Sequence, residues 1–279
     1  MSKNVKDRFD LIGKVVIITG GAGFLGPKHA EAVAEFGAIP IILDINETAI
    51  DETVARIKKD YEVDCLGFNV DITKRDSLVA VCAELLDKYG HIDALINNAA
   101  NDPKIKSDGP TMTALSRLEN FPLEVWENDL AVGLTGAFLC SQIFGTVMKK
   151  QKKGVILNIA SDLGLIAPDQ RIYRQPGLED DAQPVKPVTY SVLKHGLIGL
   201  TKYLATYWAG DGIRVNALSP SGVYNQQPEE FVKKLTNLVP LGRMSNHDEY
   251  KAAVVFLISE ASSYMTGSNL VIDGGKTCW

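Results

Sequence analysis

Tyr190 and Lys194 stand four positions apart in the run Tyr190-Ser191-Val192-Leu193-Lys194. On a helix that spacing puts both side chains on one face, one turn apart. A phenol with a pKa of roughly 10 is a poor base near neutrality, and a neighbouring ammonium lowers that value by stabilising the phenolate. The pair is therefore suited to take a proton from an alcohol while hydride leaves the adjacent carbon. By itself the spacing is common and equally describes an exposed helix face. Its context is Ser161, upstream of the pair, and a glycine-rich turn beginning 170 residues before Tyr190.

That turn is Thr19-Gly20-Gly21-Ala22-Gly23-Phe24-Leu25-Gly26, placed between an apolar run and a helical pattern that opens with Pro27. Glycines at Gly20, Gly23 and Gly26 permit a tight turn and close approach of backbone to a pyrophosphate. The helix start beyond them offers free N–H groups and a positive dipole end, and Pro suits its first turn. A second apolar run ends at Asp44, 18 positions after Gly26. A carboxylate there accepts hydrogen bonds from ribose hydroxyls and repels a 2′-phosphate, which favours NAD over NADP. No Arg follows it in Asp44-Ile45-Asn46. Asp71, followed by Ile72, ends the third run within reach of an adenine amino group. Asn97-Asn98-Ala99-Ala100 ends the fourth, where small residues let the chain pass close to a cofactor.

Elements of two kinds must hold these groups. Strands are predicted at Lys14–Thr19, Ile39–Leu43, Cys65–Val70, Ala94–Asn97, Val155–Ile159, Arg214–Leu218 and Leu270–Ile272. Helices are predicted between them, including Asp76–Tyr89, Glu124–Lys150 and Thr189–Trp208. Strands apolar on both faces and separated by helices indicate an α/β fold whose parallel sheet is covered on both sides. No linker, repeat or low-complexity tract interrupts residues 1–279, which read as one domain. Stretches 101–121, 163–187 and 221–245 are expected to be substrate loops, since long loops in a compact domain tend to bind or cover ligands. The 279 residues are 46% hydrophobic and 23% charged, with net charge −5. That argues against a nucleic-acid partner. No apolar run approaches the ~20 residues of a membrane span, and Met1 to Asp10 lacks a signal-peptide core, so a cytoplasmic location is expected. Cys65, Cys82 and Cys140 are expected to be reduced core residues, and Cys278 exposed. The histidines show no metal-ligand spacing, so no metal is expected.

Taken in order, the glycine turn, Asn97-Asn98-Ala99-Ala100, Asn158-Ile159-Ala160-Ser161, Tyr190 with Lys194, Arg214 through Pro220, and Thr266-Gly267 through Asp273-Gly274-Gly275 resemble the short-chain dehydrogenase/reductase family over roughly Leu11 to Gly275. The resemblance implies a doubly wound Rossmann-type sheet of about seven strands in three α/β/α layers. It implies that Ser161 hydrogen-bonds the reacting oxygen and that Tyr190 is the acid or base. Lys194 would hold the nicotinamide ribose and depress the Tyr190 pKa, and Val223 would hold the carboxamide through its backbone. Together with the residue-level reading, the implied cofactor contacts are Gly20, Gly23, Phe24, Leu25, Gly26, Asp44, Ile45, Asp71, Ile72, Asn98, Ala99, Ala100, Tyr190, Lys194, Pro220, Gly222, Val223 and Asn225.

Three departures stand out. Phe24 occupies the middle glycine of the usual single-domain turn, a spacing similar to the extended nucleotide-sugar branch, yet only 85 residues follow Lys194. Gly133 falls where the family usually supplies an Asn for a proton-relay water, with Asn128 nearby on another face. The Pro-Gly step reads Pro220-Ser221-Gly222, and the usual nicotinamide-contacting Thr falls at Asn225. A narrower resemblance to flagellin-modification and surface-sugar members rests on Ala167-Pro168-Asp169, the insert before Tyr190 and Asn225 through Glu229. The expected activity is NAD-dependent interconversion of hydroxyl and carbonyl on a sugar-derived substrate. Asn101, Lys104, Asp162, Arg171, Arg174 and Gln226 are candidate contacts to it. Redox-neutral epimerisation or dehydration with retained NAD, and an NAD-binding regulatory role, are the alternatives. Two long helices, Glu124–Lys150 and Thr189–Trp208, are apolar on more than one face, which fits a homodimer or homotetramer.

Overall fold

The structure is a computed structural model, and it describes residues 4–101 and 115–279. Lys104 and most of the expected 101–121 loop lie outside the described residues. Seven strands form one parallel sheet: β1 (Val15–Thr19), β2 (Ile39–Asp44), β3 (Leu66–Asn69), β4 (Ala94–Asn97), β5 (Gly154–Ile159), β6 (Ile213–Pro220) and β7 (Asn269–Ile272). Their order is β3-β2-β1-β4-β5-β6-β7. All seven expected strands are present, Ala94–Asn97 with the expected bounds and the others with ends displaced by at most two residues. The chain turns back between β1 and β4, so both strands end at the crevice where a doubly wound sheet binds ligands.

Every residue of β1 is buried, and alternate residues serve opposite faces. Val16 and Ile18 belong to the apolar layer shared with α1 (Gly26–Ala34), α2 (Glu47–Tyr61) and α8 (Lys251–Ile258). Val15 and Ile17 face α3 (Arg75–Tyr89), α5 (Gly136–Gln151) and α6 (Val188–Tyr207). This two-sided burial is why the strands lack polar alternation. Among the described residues, the remaining α-helices are α4 (Leu123–Leu130) and α7 (Glu229–Thr236).

The helix expected at Glu124–Lys150 is not regular. Between α4 and α5 the backbone makes a π-helical turn at Ala131–Thr135 that contains Gly133. A Cβ on Gly133 would stand 3.1 Å from the methyls of Leu193 on α6. Such widened turns recur at functional sites. Among the described residues, 123–151 is a helical stretch long and apolar enough to cross a membrane by length and composition. This amends the expectation that no segment approaches that length. Here its Cys140, Phe144 and Met148 are buried in the layer beneath the sheet.

A chain of buried polar groups ties the strand ends together. Asn97 Nδ2 donates to Ser141 Oγ on α5 and to Asn158 Oδ1 on β5, and Asn158 Nδ2 donates to Thr201 Oγ1 on α6. Buried side-chain hydrogen bonds of this kind help fix one arrangement of the elements that carry them, although the Asn97 Oδ1 has no partner of its own.

Candidate active site

The glycine turn closes over the end of β1. Gly20 has φ +58°, and a Cβ there would lie 2.9 Å from the Ala99 Cα. A Cβ on Gly26 would lie 2.2 Å from the Gly20 carbonyl oxygen, so no other residue fits without moving backbone. Asn98 locks the neighbouring strand end: its Nδ2 donates to the carbonyls of Thr19 and Gly20 at 3.1 and 3.0 Å. Thr19 Oγ1 accepts from the N–H groups of Asn98 and Ala99. No side chain caps the start of α1, which leaves its first N–H groups as an anion cradle. Leu25 is the N-cap residue there. Phe24 is half exposed, and its ring meets that of His247 edge-on at 4.7 Å between centroids.

Asp44 ends β2, and its Oδ2 accepts from Ala22 N inside the glycine turn at 3.0 Å. Its Oδ1 accepts from Ile45 N and Asn46 N. The cap of α2 is Asn46, not Asp44. Ile45 presents an apolar side chain to solvent. Asp71 uses Oδ1 to accept from the N–H and hydroxyl of Thr73 at 2.9 and 2.7 Å, and Ile72 is buried.

Lys194 lies on α6, almost fully buried, and its Nζ donates to the Ile159 carbonyl at 2.7 Å. The same ammonium is 5.7 Å from the centroid of the Tyr190 ring. Ser161 follows Ile159 by two residues at the end of β5 and is buried. Gly164 lets the turn after Ser161 touch α6: a Cβ on it would stand 2.9 Å from the Lys194 carbonyl oxygen. The three candidate residues therefore share one corner of the crevice. A second ammonium, from Lys186, stands 4.0 Å over the Tyr190 ring, in cation–π range.

Pro220 ends β6, and the strap beyond it is held by a short parallel bridge between Val223 and Ser245. Ser245 N donates to Gly222 O, and Tyr224 N to Ser245 O. The Val223 carbonyl already accepts from Gln227 Nε2 at 2.9 Å. Asn225 is exposed, with its N–H donating to Gln227 Oε1. The 163–187 stretch is a built loop. Ile172 and Tyr173 pack against Phe231, Val232 and Leu235 of α7, and Arg117 donates to the carbonyls of Asp180 and Gln183.

Several expected substrate contacts are engaged elsewhere. Asp162 is buried, accepting from Ser161 Oγ, Ser221 Oγ and Lys276 Nζ, each at 2.8 Å. Arg171 chelates Asp169 with two hydrogen bonds, and Arg174 pairs with Asp180. Asn101 donates to Asp129, and Gln226 is exposed at φ +57°. Polar loop composition signalled these residues, but Asp162, Arg171, Arg174 and Asn101 spend their polar groups on partners within the protein. Three residues escaped the sequence reading: Asp129, Lys186 and Lys276. Asp129, rather than neighbouring Asn128, is the buried polar group of α4. Only its position, four residues before Gly133 and so on the same helix face, could have marked it.

Family models agree with this geometry. Residues 14–173 match the model described as short chain dehydrogenase, and residues 180–277 match one described as enoyl-(acyl carrier protein) reductase. The chain is 34% identical to a NAD-dependent glycerol dehydrogenase of Listeria innocua over 96% of both chains. It is 32% identical to a D-threitol dehydrogenase of Mycolicibacterium smegmatis, over 96% of this chain and 95% of the other. The crystal structure of a short-chain dehydrogenase from Leptospira borgpetersenii with bound NAD+ superposes with a TM-score of 0.82 at 33% identity, covering 99% of this chain and 97% of that one. The chain thus belongs to the short-chain dehydrogenase/reductase family of oxidoreductases, which act on CH–OH groups.

Proposed function

We propose that the protein is an NAD-dependent dehydrogenase that interconverts a hydroxyl and a carbonyl on a polyol or sugar alcohol. The observation that carries this reading is the position of Lys194, its ammonium fixed to the Ile159 carbonyl and facing the Tyr190 ring. A buried positive charge there favours the phenolate over the phenol.

The crevice fits a dinucleotide. The uncapped start of α1 and the glycines, where a Cβ would strike backbone, form a cradle for a pyrophosphate. Phe24, Leu25, Asn98, Ala99 and Ala100 border that cradle. Asp44 would accept from the adenosine ribose, with Ile45 and Ile72 flanking the adenine and Asp71 at its edge. Pro220, Gly222, Val223 and Asn225 would line the nicotinamide end. Dinucleotide choice within the family goes either way; the Asp44 carboxylate supports NAD here. When bound, the nicotinamide supplies a two-electron acceptor or donor of hydride. Tyr190 takes the substrate hydroxyl proton in oxidation and returns it in reduction. Ser161 holds the same oxygen by hydrogen bond, and Lys194 lowers the cost of the phenolate.

The named relatives act on glycerol and threitol, which supports a polyhydroxylated substrate. The narrower resemblance to flagellin-modification proteins gains no support from them, and the substrate assignment moves to polyols. Phe138 on α5 and Tyr203 and Tyr207 on α6 are exposed, which supports a homodimer or homotetramer built on these helices. Reduction of NAD+ and NADP+ measured at saturating glycerol, threitol, xylitol and galactitol tests the assignment. Turnover of at least one polyol with NAD+ preferred is expected. No turnover with either dinucleotide would contradict it.

A further inference from the structure

We propose that Lys276 is a positioning residue for Ser161, acting through Asp162: its ammonium neutralises the buried Asp162 carboxylate, so that Ser161 can turn its hydroxyl proton toward the reacting oxygen. This rests on the assignment of Ser161 made above.

Asp162 is the residue after Ser161, and its side chain is 4% exposed. Its Oδ1 accepts from Ser161 Oγ and from Leu163 N, both at 2.8 Å. Its Oδ2 accepts from Ser221 Oγ and Lys276 Nζ, both at 2.8 Å. In this arrangement the Ser161 proton points at Asp162 and away from a substrate. Hydrogen bonds to an ionised acceptor are roughly twice as strong as neutral ones. An unneutralised carboxylate in a buried corner would therefore hold the Ser161 proton against the competing substrate oxygen. The ammonium on the far oxygen draws charge away from Oδ1 and weakens that hold.

Lys276 is delivered to this place by a constructed turn. Asp273 Oδ1 accepts from Gly275 N and Oδ2 from Thr277 N, at 2.9 and 2.7 Å. Gly274 and Gly275 take φ +66° and +89°, where residues with a Cβ are strained. The turn aims Lys276 inward, and its side chain is 9% exposed. Asp169 also lies within electrostatic range of Lys276, but its carboxylate is held by Arg171. A buried ion pair is weak grounds for stability alone, and this one touches a hydroxyl of the reaction corner.

The test is a double-mutant cycle on purified, NAD-bound protein, with the polyol oxidised fastest among the four above. Lys276→Met is expected to lower kcat by about tenfold or more while KM for the polyol and Kd for NAD change less than about threefold, with Lys276→Arg recovering most of the loss. In a Ser161→Ala background the same substitution is expected to change kcat by less than about twofold. An unchanged kcat in Lys276→Met, or an equal loss in both backgrounds, would overturn the proposal while leaving Ser161 its role. Wild-type kcat in Ser161→Ala would overturn the parent assignment and this inference with it. Should Lys276→Met not fold, Asp162→Asn and Asp162→Asn/Lys276→Met carry the test, because both lack the buried carboxylate and the double variant also removes the ammonium that Asp162→Asn leaves without its partner. Equal kcat in these two is expected, and a difference beyond about tenfold would overturn the proposal.

Discussion

Thr189 donates a 2.6 Å hydrogen bond to the buried carboxylate of Asp129, and Thr189 is the residue immediately before Tyr190. The other oxygen of Asp129 accepts from Asn101. One carboxylate on α4, just ahead of the π turn, thus ties the first turn of α6 to the segment that follows β4. Asp129→Ala removes the acceptor from two polar groups, a cost of about 1–3 kcal/mol. It also loosens the position of Tyr190, for which a kcat loss of roughly tenfold to a hundredfold is expected. Urea unfolding and steady-state kinetics check both; unchanged stability and kcat would refute the link.

On the proposed function, Asp44 is expected to set the choice of dinucleotide. Its loss removes a charge-assisted acceptor for the ribose, about 1.5–3 kcal/mol, and frees Ala22 N in the glycine turn. Asp44→Ala is expected to weaken NAD roughly tenfold to a hundredfold and to improve NADP relative to NAD. Titration of each dinucleotide by fluorescence decides it. A variant that keeps its NAD affinity would show that Asp44 does not touch the ribose.

Much of this site is legible in the sequence because its signals are local. Gly20, Gly23 and Gly26 lie within one turn, and Tyr190 and Lys194 within one helical turn, so spacing alone reports their geometry. Two-sided burial of β1 is likewise visible as the unbroken run Val15 to Thr19. The partners of Asp162 are not visible in this way. Lys276 lies 114 positions away, and neither residue has a neighbour in sequence that hints at pairing. Asp162 therefore reads as a loop carboxylate open to substrate when it is a buried acceptor. The π turn at Ala131–Thr135 is also silent, because its composition is that of an ordinary apolar helix.

His29 on α1 makes stability depend on pH. Both ring nitrogens are buried without a hydrogen-bond partner; the Asn98 amide is near but does not meet them in good geometry. Burial pushes its pKa down to about 4 from 6.5, the Asn98 amide opposing weakly. The unfolded chain takes up a proton near 6.5 and the folded chain only near 4. Stability from the neutral imidazole is therefore complete above pH 6.5 and declines as pH falls, reaching a loss of about 3 kcal/mol by pH 4. His29→Leu is expected to flatten that decline in urea unfolding between about pH 7 and 4. An equally steep decline in the variant would show that other groups cause it.

Proton transfer by Tyr190 is the centre of the account, and kcat for polyol oxidation in Tyr190→Phe, measured beside NAD affinity, addresses it most directly. The expected result is a kcat lower by about a hundredfold to ten-thousandfold in a protein that still folds and binds NAD within a few fold of wild type. A Tyr190→Phe protein that oxidises the polyol at the wild-type rate would contradict the assignment.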